Sequence, residues 1–239
     1  MKIIVKYLFE VEHGLKLMKF KRFRVAWVLP VINFRLFTIP ALEVFDGAAS
    51  LKGTNWLNCS VVNEFIRLIC SSTDLCWSVD SNLFVVLSNP QYVDRIPKWT
   101  EHVRVSSGIN QYFFPICVKD HWSLLHVNME LQKASHVTSL EGTGNVIFAR
   151  KFLRFLDSCN QKQNKTANFC SFETQIMDSC QQPNSFDCGV YVCLLAFKLS
   201  RKLDVTGELP EDTSEMWRRR VYTCLRERSL RILEKVFAK

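Results

Sequence analysis

The spacing of apolar positions along this 239-residue chain changes several times, and each change marks a predicted element. Val61-Val62-Asn63-Glu64-Phe65-Ile66-Arg67-Leu68-Ile69 carries an apolar face of helical spacing, which predicts a helix with one buried side. Leu83-Phe84-Val85-Val86-Leu87 is short, β-branched and aromatic, and fits a strand or the end of a buried element. Tyr112-Phe113-Phe114-Pro115-Ile116-Cys117-Val118 and Trp122-Ser123-Leu124-Leu125-His126-Val127 read as successive strands, with Lys119-Asp120-His121 as a tight connection. From Val146 to Leu156 the apolar residues again recur three and four apart, as in a helix. Gly189 to Leu199 is almost entirely apolar, which predicts a core helix. Thr213 or Ser214 caps a final amphipathic helix running through Trp217, Val221, Leu225 and Leu233. Strands in the middle with helices before and after give an α+β fold. Asp46-Gly47-Ala48-Ala49-Ser50 reads as a turn or linker, close to where the folded body begins.

Composition narrows the function classes. A hydrophobic share of 48% with 23% charged residues excludes wholesale disorder. The net charge of +8 suggests nucleic acid until its distribution is considered. Residues 1–42 hold eight Lys/Arg against Glu10 and Glu12, a balance of +6 that leaves +2 for residues 43–239. The excess belongs to an N-terminal extension with no recognisable nucleic-acid module, so no nucleic-acid partner is expected. Within it, residues 25–42 are apolar but broken by Pro30, Arg35 and Pro40, and the unbroken part is too short to span a bilayer. A loosely attached or partly disordered extension is the expectation, without a membrane anchor or clear signal peptide. The ten cysteines form no C-x-x-C pair and no zinc-finger spacing with the histidines at 13, 102, 121, 126 and 136. They read as reduced thiols of an intracellular protein, with no metal or other cofactor.

The candidate chemistry lies around Cys188. In Gln182-Pro183-Asn184-Ser185-Phe186-Asp187-Cys188-Gly189-Val190-Tyr191-Val192 a thiol precedes the apolar helix, where free N–H groups and the helix dipole favour thiolate. Asp187 is placed to cap that helix, and Gly189 lets the backbone pack closely behind the thiol. Gln182 carries an amide able to donate to a developing oxyanion. Asp120-His121-Trp122-Ser123-Leu124-Leu125 supplies a histidine at the mouth of a strand, a candidate base, whereas His126 falls inside the strand. Taken singly, Cys188 also fits an inert core thiol, His121 a structural histidine and Gln182 a surface amide.

In series, the His-Trp pair and the downstream Gln-x-Asn-x-x-Asp-Cys-Gly run resemble the cysteine proteases that process ubiquitin-like modifiers. That is the SUMO-protease family, and the wording of these motifs looks closest to its deneddylase branch. Trp56-Leu57-Asn58 is similar to that family's Trp-Leu-Asn-Asp motif near the start of the domain. The resemblance covers residues 43–239 and leaves residues 1–42 unexplained. It implies a papain-like fold with a central mixed sheet, helices packed on it and the nucleophile at the head of a buried helix. It further implies Cys188 as nucleophile, His121 as general base, Gln182 as oxyanion donor, and Trp56, Asn58 and Trp122 along the channel for a modifier's Gly-Gly tail. The partners implied are a ubiquitin-like modifier and its conjugates, met by a monomer in the cytoplasm and/or nucleus.

Two positions depart from the pattern. The triad acid expected after the His-Trp strand is replaced by Thr138 in His136-Val137-Thr138-Ser139-Leu140-Glu141-Gly142. Threonine accepts a hydrogen bond from the ring but brings no charge, and a neutral triad amide costs a serine protease on the order of ten-thousandfold in rate. A smaller loss is expected for cysteine. Glu141 would substitute if the local turn brought it back to the ring. Cys59 stands where the Trp-Leu-Asn-Asp motif has its acid, which implies altered tail recognition. The alternative to an active isopeptidase is therefore a pseudoprotease that binds a modifier in the same cleft.

Overall fold

A computed structural model describes residues 47–106, 108–163, 167–210 and 213–238. The basic, apolar extension at 1–42 lies outside the described residues. Ala48–Leu51 forms a 3-10 turn, and the chain then enters helix α1, Cys59–Ser71. The Asn58 side chain caps α1 by accepting from the Val61 amide at 3.0 Å. Strand β1, Cys76–Ser78, precedes helix α2, Asn82–Ser88. The Leu83–Leu87 run is thus helical: Asp80 accepts from the Asn82 amide at 3.0 Å, and Leu83, Phe84 and Val86 turn inward while Val85 faces out. Such a pattern does not alternate as a half-buried strand must.

After α3, Ile96–His102, come β2, Gln111–Val118, and β3, His121–Asn128. They pair antiparallel from Gln111 with Asn128 to Val118 with His121. Lys119 and Asp120 form the connection, both at positive φ (48° and 60°), the backbone a two-residue hairpin requires. His121 therefore opens β3 instead of sitting in the turn. Then follow β4, Lys133–Val137, α4, Val146–Lys162, and β5, Glu173–Met177. Helix α5, Cys188–Ser200, is buried from Cys188 to Lys198. The final amphipathic stretch divides into α6, Ser214–Glu227, and α7, Arg231–Phe237. Arg228 takes a left-handed conformation between them, and the Ser229 amide closes back on the Cys224 carbonyl at 3.0 Å, ending α6.

The five strands lie in the order β1-β2-β3-β4-β5, with β1/β2 and β4/β5 parallel and the inner pairs antiparallel. Side chains alternate across the sheet and feed two cores. Phe113, Trp122, Leu124 and Val137 join the core of α1, α5, α6 and α7. Tyr112, Phe114, Ile116, Leu125 and Val127 join the core of α2 and α4. This is the mixed-sheet α+β arrangement that the resemblance implies, with Cys188 at the head of a helix buried on all sides. All ten cysteines are free thiols. Among the described residues no helix is long and apolar enough to cross a membrane.

Candidate active site

Cys188 is the first residue of α5, and its side chain is almost fully buried. The backbone amides of Trp122, Gly189 and Cys188 itself lie against the thiol and lower its pKa, as expected at a helix N-terminus. Burial outweighs them and leaves the thiol above its ordinary value. The net direction runs against the thiolate favoured from sequence. Contact with the Trp122 amide also joins the thiol to the residue after His121, bringing the two motifs together.

His121 is half-buried, and burial lowers its pKa. Its Nε2 lies 2.9 Å from Thr138 Oγ1, so the residue in place of the expected acid does meet the ring. Thr138 Oγ1 is in turn 2.6 Å from Thr143 Oγ1, and Thr143 donates to the Leu140 carbonyl at 2.6 Å. Glu141 does not return to the histidine. The turn from Leu140 to Thr143, with Gly142 at φ 76°, leaves Glu141 exposed and swings Thr143 inward. His126 and His136 are buried and belong to the sheet. His126 bonds Gln111 Oε1 at 2.9 Å, His136 bonds Ser123 Oγ at 2.9 Å, and burial pushes both down to about 4.

Gln182 is buried and its amide is fixed at both ends. Oε1 accepts from Ser139 Oγ at 2.7 Å and Nε2 donates to the Asn184 carbonyl at 2.6 Å. One N–H remains for an incoming oxygen. The Gln182 backbone N–H donates to the Ser139 carbonyl at 2.9 Å, and Ser179 Oγ donates to the Thr138 carbonyl at 2.8 Å. The end of β4 thus positions the histidine's partner and the glutamine's amide together.

Asp187 does not cap α5. Its carboxylate pairs with Arg218 at 2.7 Å and accepts from Asn184 Nδ2 at 2.7 Å, both charged groups being buried. Arg218 also donates to the Asn55, Ser50 and Phe186 carbonyls at 2.7, 3.1 and 3.1 Å. The guanidinium therefore ties the turn before the nucleophile to the loop before Trp56. Sequence reading missed Arg218, which sits in an Arg-Arg-Arg run that looks like a solvated face. The available signal was its spacing, three before Val221 and seven before Leu225, on the apolar side of α6.

Trp56 is 54% exposed, while Trp122 is buried and donates its indole N–H to the Leu57 carbonyl at 2.8 Å. Together with Asn58, Cys59, Cys117 and Asp120 they line a groove of about 230 Å³. Asn58 reaches this groove with its carbonyl oxygen already committed to the α1 cap. The exposed Cys59 occupies the first position of α1, where the motif's acid would stand. Behind the groove a Cβ on Gly189 would lie 2.8 Å from Leu57 Cβ, so the missing side chain lets α5 approach the tryptophan loop.

Comparison with known proteins gives a consistent result. Residues 55–231 match the family described as "Ulp1 protease family, C-terminal catalytic domain". Ubiquitin-like-specific protease 1 of Saccharomyces cerevisiae is 27% identical over 148 residues, 61% of this chain and 23% of that protein. Human sentrin-specific protease 5 is 26% identical over 192 residues, 80% of this chain and 25% of that protein. The chain thus matches about a quarter of the length of these relatives. The crystal structure of the C-terminal Ulp1 protease domain in complex with Smt3, the yeast ortholog of SUMO, has a TM-score of 0.66 at 20% identity. It covers 77% of this chain and 83% of the other. A crystal structure of a de-sumoylating protease has a TM-score of 0.61 at 19% identity, covering 81% and 88%. At these identities the structures show a shared fold.

Proposed function

The chain belongs to the Ulp1 protease family, and from that premise we infer a thiol isopeptidase that cleaves after the C-terminal Gly-Gly of a ubiquitin-like modifier. The observation that carries this reading is the join at Trp122. Its backbone amide faces the Cys188 thiol and lowers its pKa, and the preceding His121 has Nε2 engaged by Thr138. Cys188 is the nucleophile, His121 the general base, and Gln182 with the Cys188 amide the oxyanion donors. The catalytic domain corresponds to residues 43–239.

In the reaction, Nδ1 of His121 takes the thiol proton as Cys188 attacks the glycine carbonyl. The proton then passes to the departing amine, and water hydrolyses the thioester. With the thiol raised, the imidazole lowered and no carboxylate behind the ring, the resting pair is neutral, so deprotonation accompanies attack. The aromatic walls at Trp56 and Trp122 suit a tail without side chains. Supporting substrates of the SUMO type, the relatives include a sentrin-specific protease and a domain crystallised with Smt3. The wording of the His121 and Cys188 motifs favours the deneddylase branch within that class, acting inside the cell on modifier precursors or conjugates.

A panel of ubiquitin-like modifiers bearing a C-terminal electrophile tests the reading. A covalent adduct with one modifier, absent in Cys188→Ala, is the expected result and identifies the substrate. Thr138 keeps the second reading specific: tight binding of a modifier with no adduct would make the protein a pseudoprotease.

A further inference from the structure

We propose that Thr143 is a positioning residue for the candidate base: seated between Thr138 and the Leu140 carbonyl, it orders a chain of hydroxyl protons that holds His121 with its N–H at Nε2. The proposal rests on the reading of His121 as the base. The geometry sets the direction of every bond. A carbonyl only accepts, and the Leu140 oxygen lies 2.6 Å from Thr143 Oγ1, so the Thr143 proton goes there. Thr143 has no second proton, and its oxygen, 2.6 Å from Thr138 Oγ1, therefore accepts the Thr138 proton. Thr138 is then left with acceptor capacity alone toward His121 Nε2 at 2.9 Å, so the ring nitrogen carries the hydrogen. Reversing the chain would set two acceptor oxygens 2.6 Å apart with no proton between Thr143 and Leu140.

The Leu140 amide also points at Thr138 Oγ1, at 3.4 Å, which adds a second donor to an oxygen already assigned as acceptor. Thr143 Oγ1 itself lies 3.4 Å from Nε2, a longer, second acceptor for the same ring N–H. With Nε2 protonated, the lone pair of the neutral ring lies at Nδ1, the nitrogen needed to accept the thiol proton. A carboxylate would set the same tautomer and add charge. The hydroxyl chain performs only the first of these tasks. Backbone anchors keep it in place: Ser179 Oγ holds the Thr138 carbonyl, and the Thr143 amide closes the turn on Leu140 at 3.3 Å.

The test uses the full chain labelled with ¹⁵N-histidine and reads the His121 tautomer by long-range ¹H–¹⁵N spectra, alongside single-turnover cleavage of the modifier that forms the adduct. The wild-type ring is expected as the Nε2–H tautomer. In Thr143→Val the Thr138 proton is released toward Nε2 and the ring moves to Nδ1–H. Its maximal single-turnover rate falls about tenfold to a hundredfold, the scale for a misplaced catalytic group, with the half-saturating enzyme concentration unchanged. Thr143→Ser restores both readings. A wild-type ring protonated at Nδ1 overturns the proposal whether or not the valine variant folds, and so does a folded Thr143→Val that keeps Nε2–H. The two readings fail separately. A tautomer that follows Thr143 while no modifier labels Cys188 sinks the protease reading alone. Full cleavage with a tautomer indifferent to Thr143 sinks the relay alone.

Discussion

At Cys188 two opposing effects meet on one atom, and their balance is measurable. Three backbone amides lower the thiol's pKa and burial raises it further than they lower it. Thr138 supplies no charge with which His121 could shift the balance back. Alkylation of Cys188 by iodoacetamide, followed by mass spectrometry of its peptide, should accordingly be slow at neutral pH. It should climb only above the ordinary thiol range of about 8.5. Thr138→Asp should move that midpoint downward, because a carboxylate behind the ring stabilises imidazolium and with it the thiolate. A rate already at its plateau at neutral pH would contradict the neutral pair. These details were only partly legible from residue order. Gln182, Asp187 and Cys188 share one short run whose chemistry shows locally, so the nucleophile could be nominated. The thiol's ionisation could not, because desolvation is set by α1 and the sheet closing over it.

Among the elements, the long periodic ones were legible. α1, α4 and α5 match their predicted spans to within a few residues at most ends, and the β2–β3 hairpin follows from two apolar runs and a short polar link. Three strands were missed for a physical reason. β1 has three residues, and Lys133-Ala134-Ser135-His136-Val137 and Glu173-Thr174-Gln175-Ile176-Met177 carry too few apolar side chains to show a period. Their pairing is stabilised by neighbours across the sheet. One residue shows how element packing overrides propensity. Alanine exceeds glycine by about 1 kcal/mol inside a helix. Yet Gly189→Ala would drive a Cβ to 2.8 Å from Leu57 Cβ, close to the main chain where little can yield. Overpacking then wins: urea denaturation should show a loss of about 1–3 kcal/mol. Cleavage should fall as well, since Leu57 itself lines the groove. A stabilised Gly189→Ala would show that α5 and the tryptophan loop leave room for a methyl group.

Across the whole molecule, Arg218 links segments far apart in the chain. It holds Asp187 before the nucleophile, Ser50 and Asn55 before Trp56, and its own helix α6. Removing one member of a buried pair leaves the other charge without compensation. Arg218→Met should cost about 3–5 kcal/mol in chemical denaturation. The double variant Asp187→Asn with Arg218→Met should recover part of that loss, because no orphaned charge remains. Equal stability of single and double variants would show that the arginine matters through its carbonyl contacts alone. By itself the sequence determined the α+β class, the buried helix behind Cys188 and the identities of the candidate nucleophile, base and amide, because these depend on short-range periodicity and contiguous motifs. Only the tertiary structure decided that Thr143 and not Glu141 returns to His121, that Asp187 serves Arg218 and not a helix cap, and that burial pushes the thiol's pKa up. Those outcomes depend on distances between segments and on exclusion of water, which residue order does not contain.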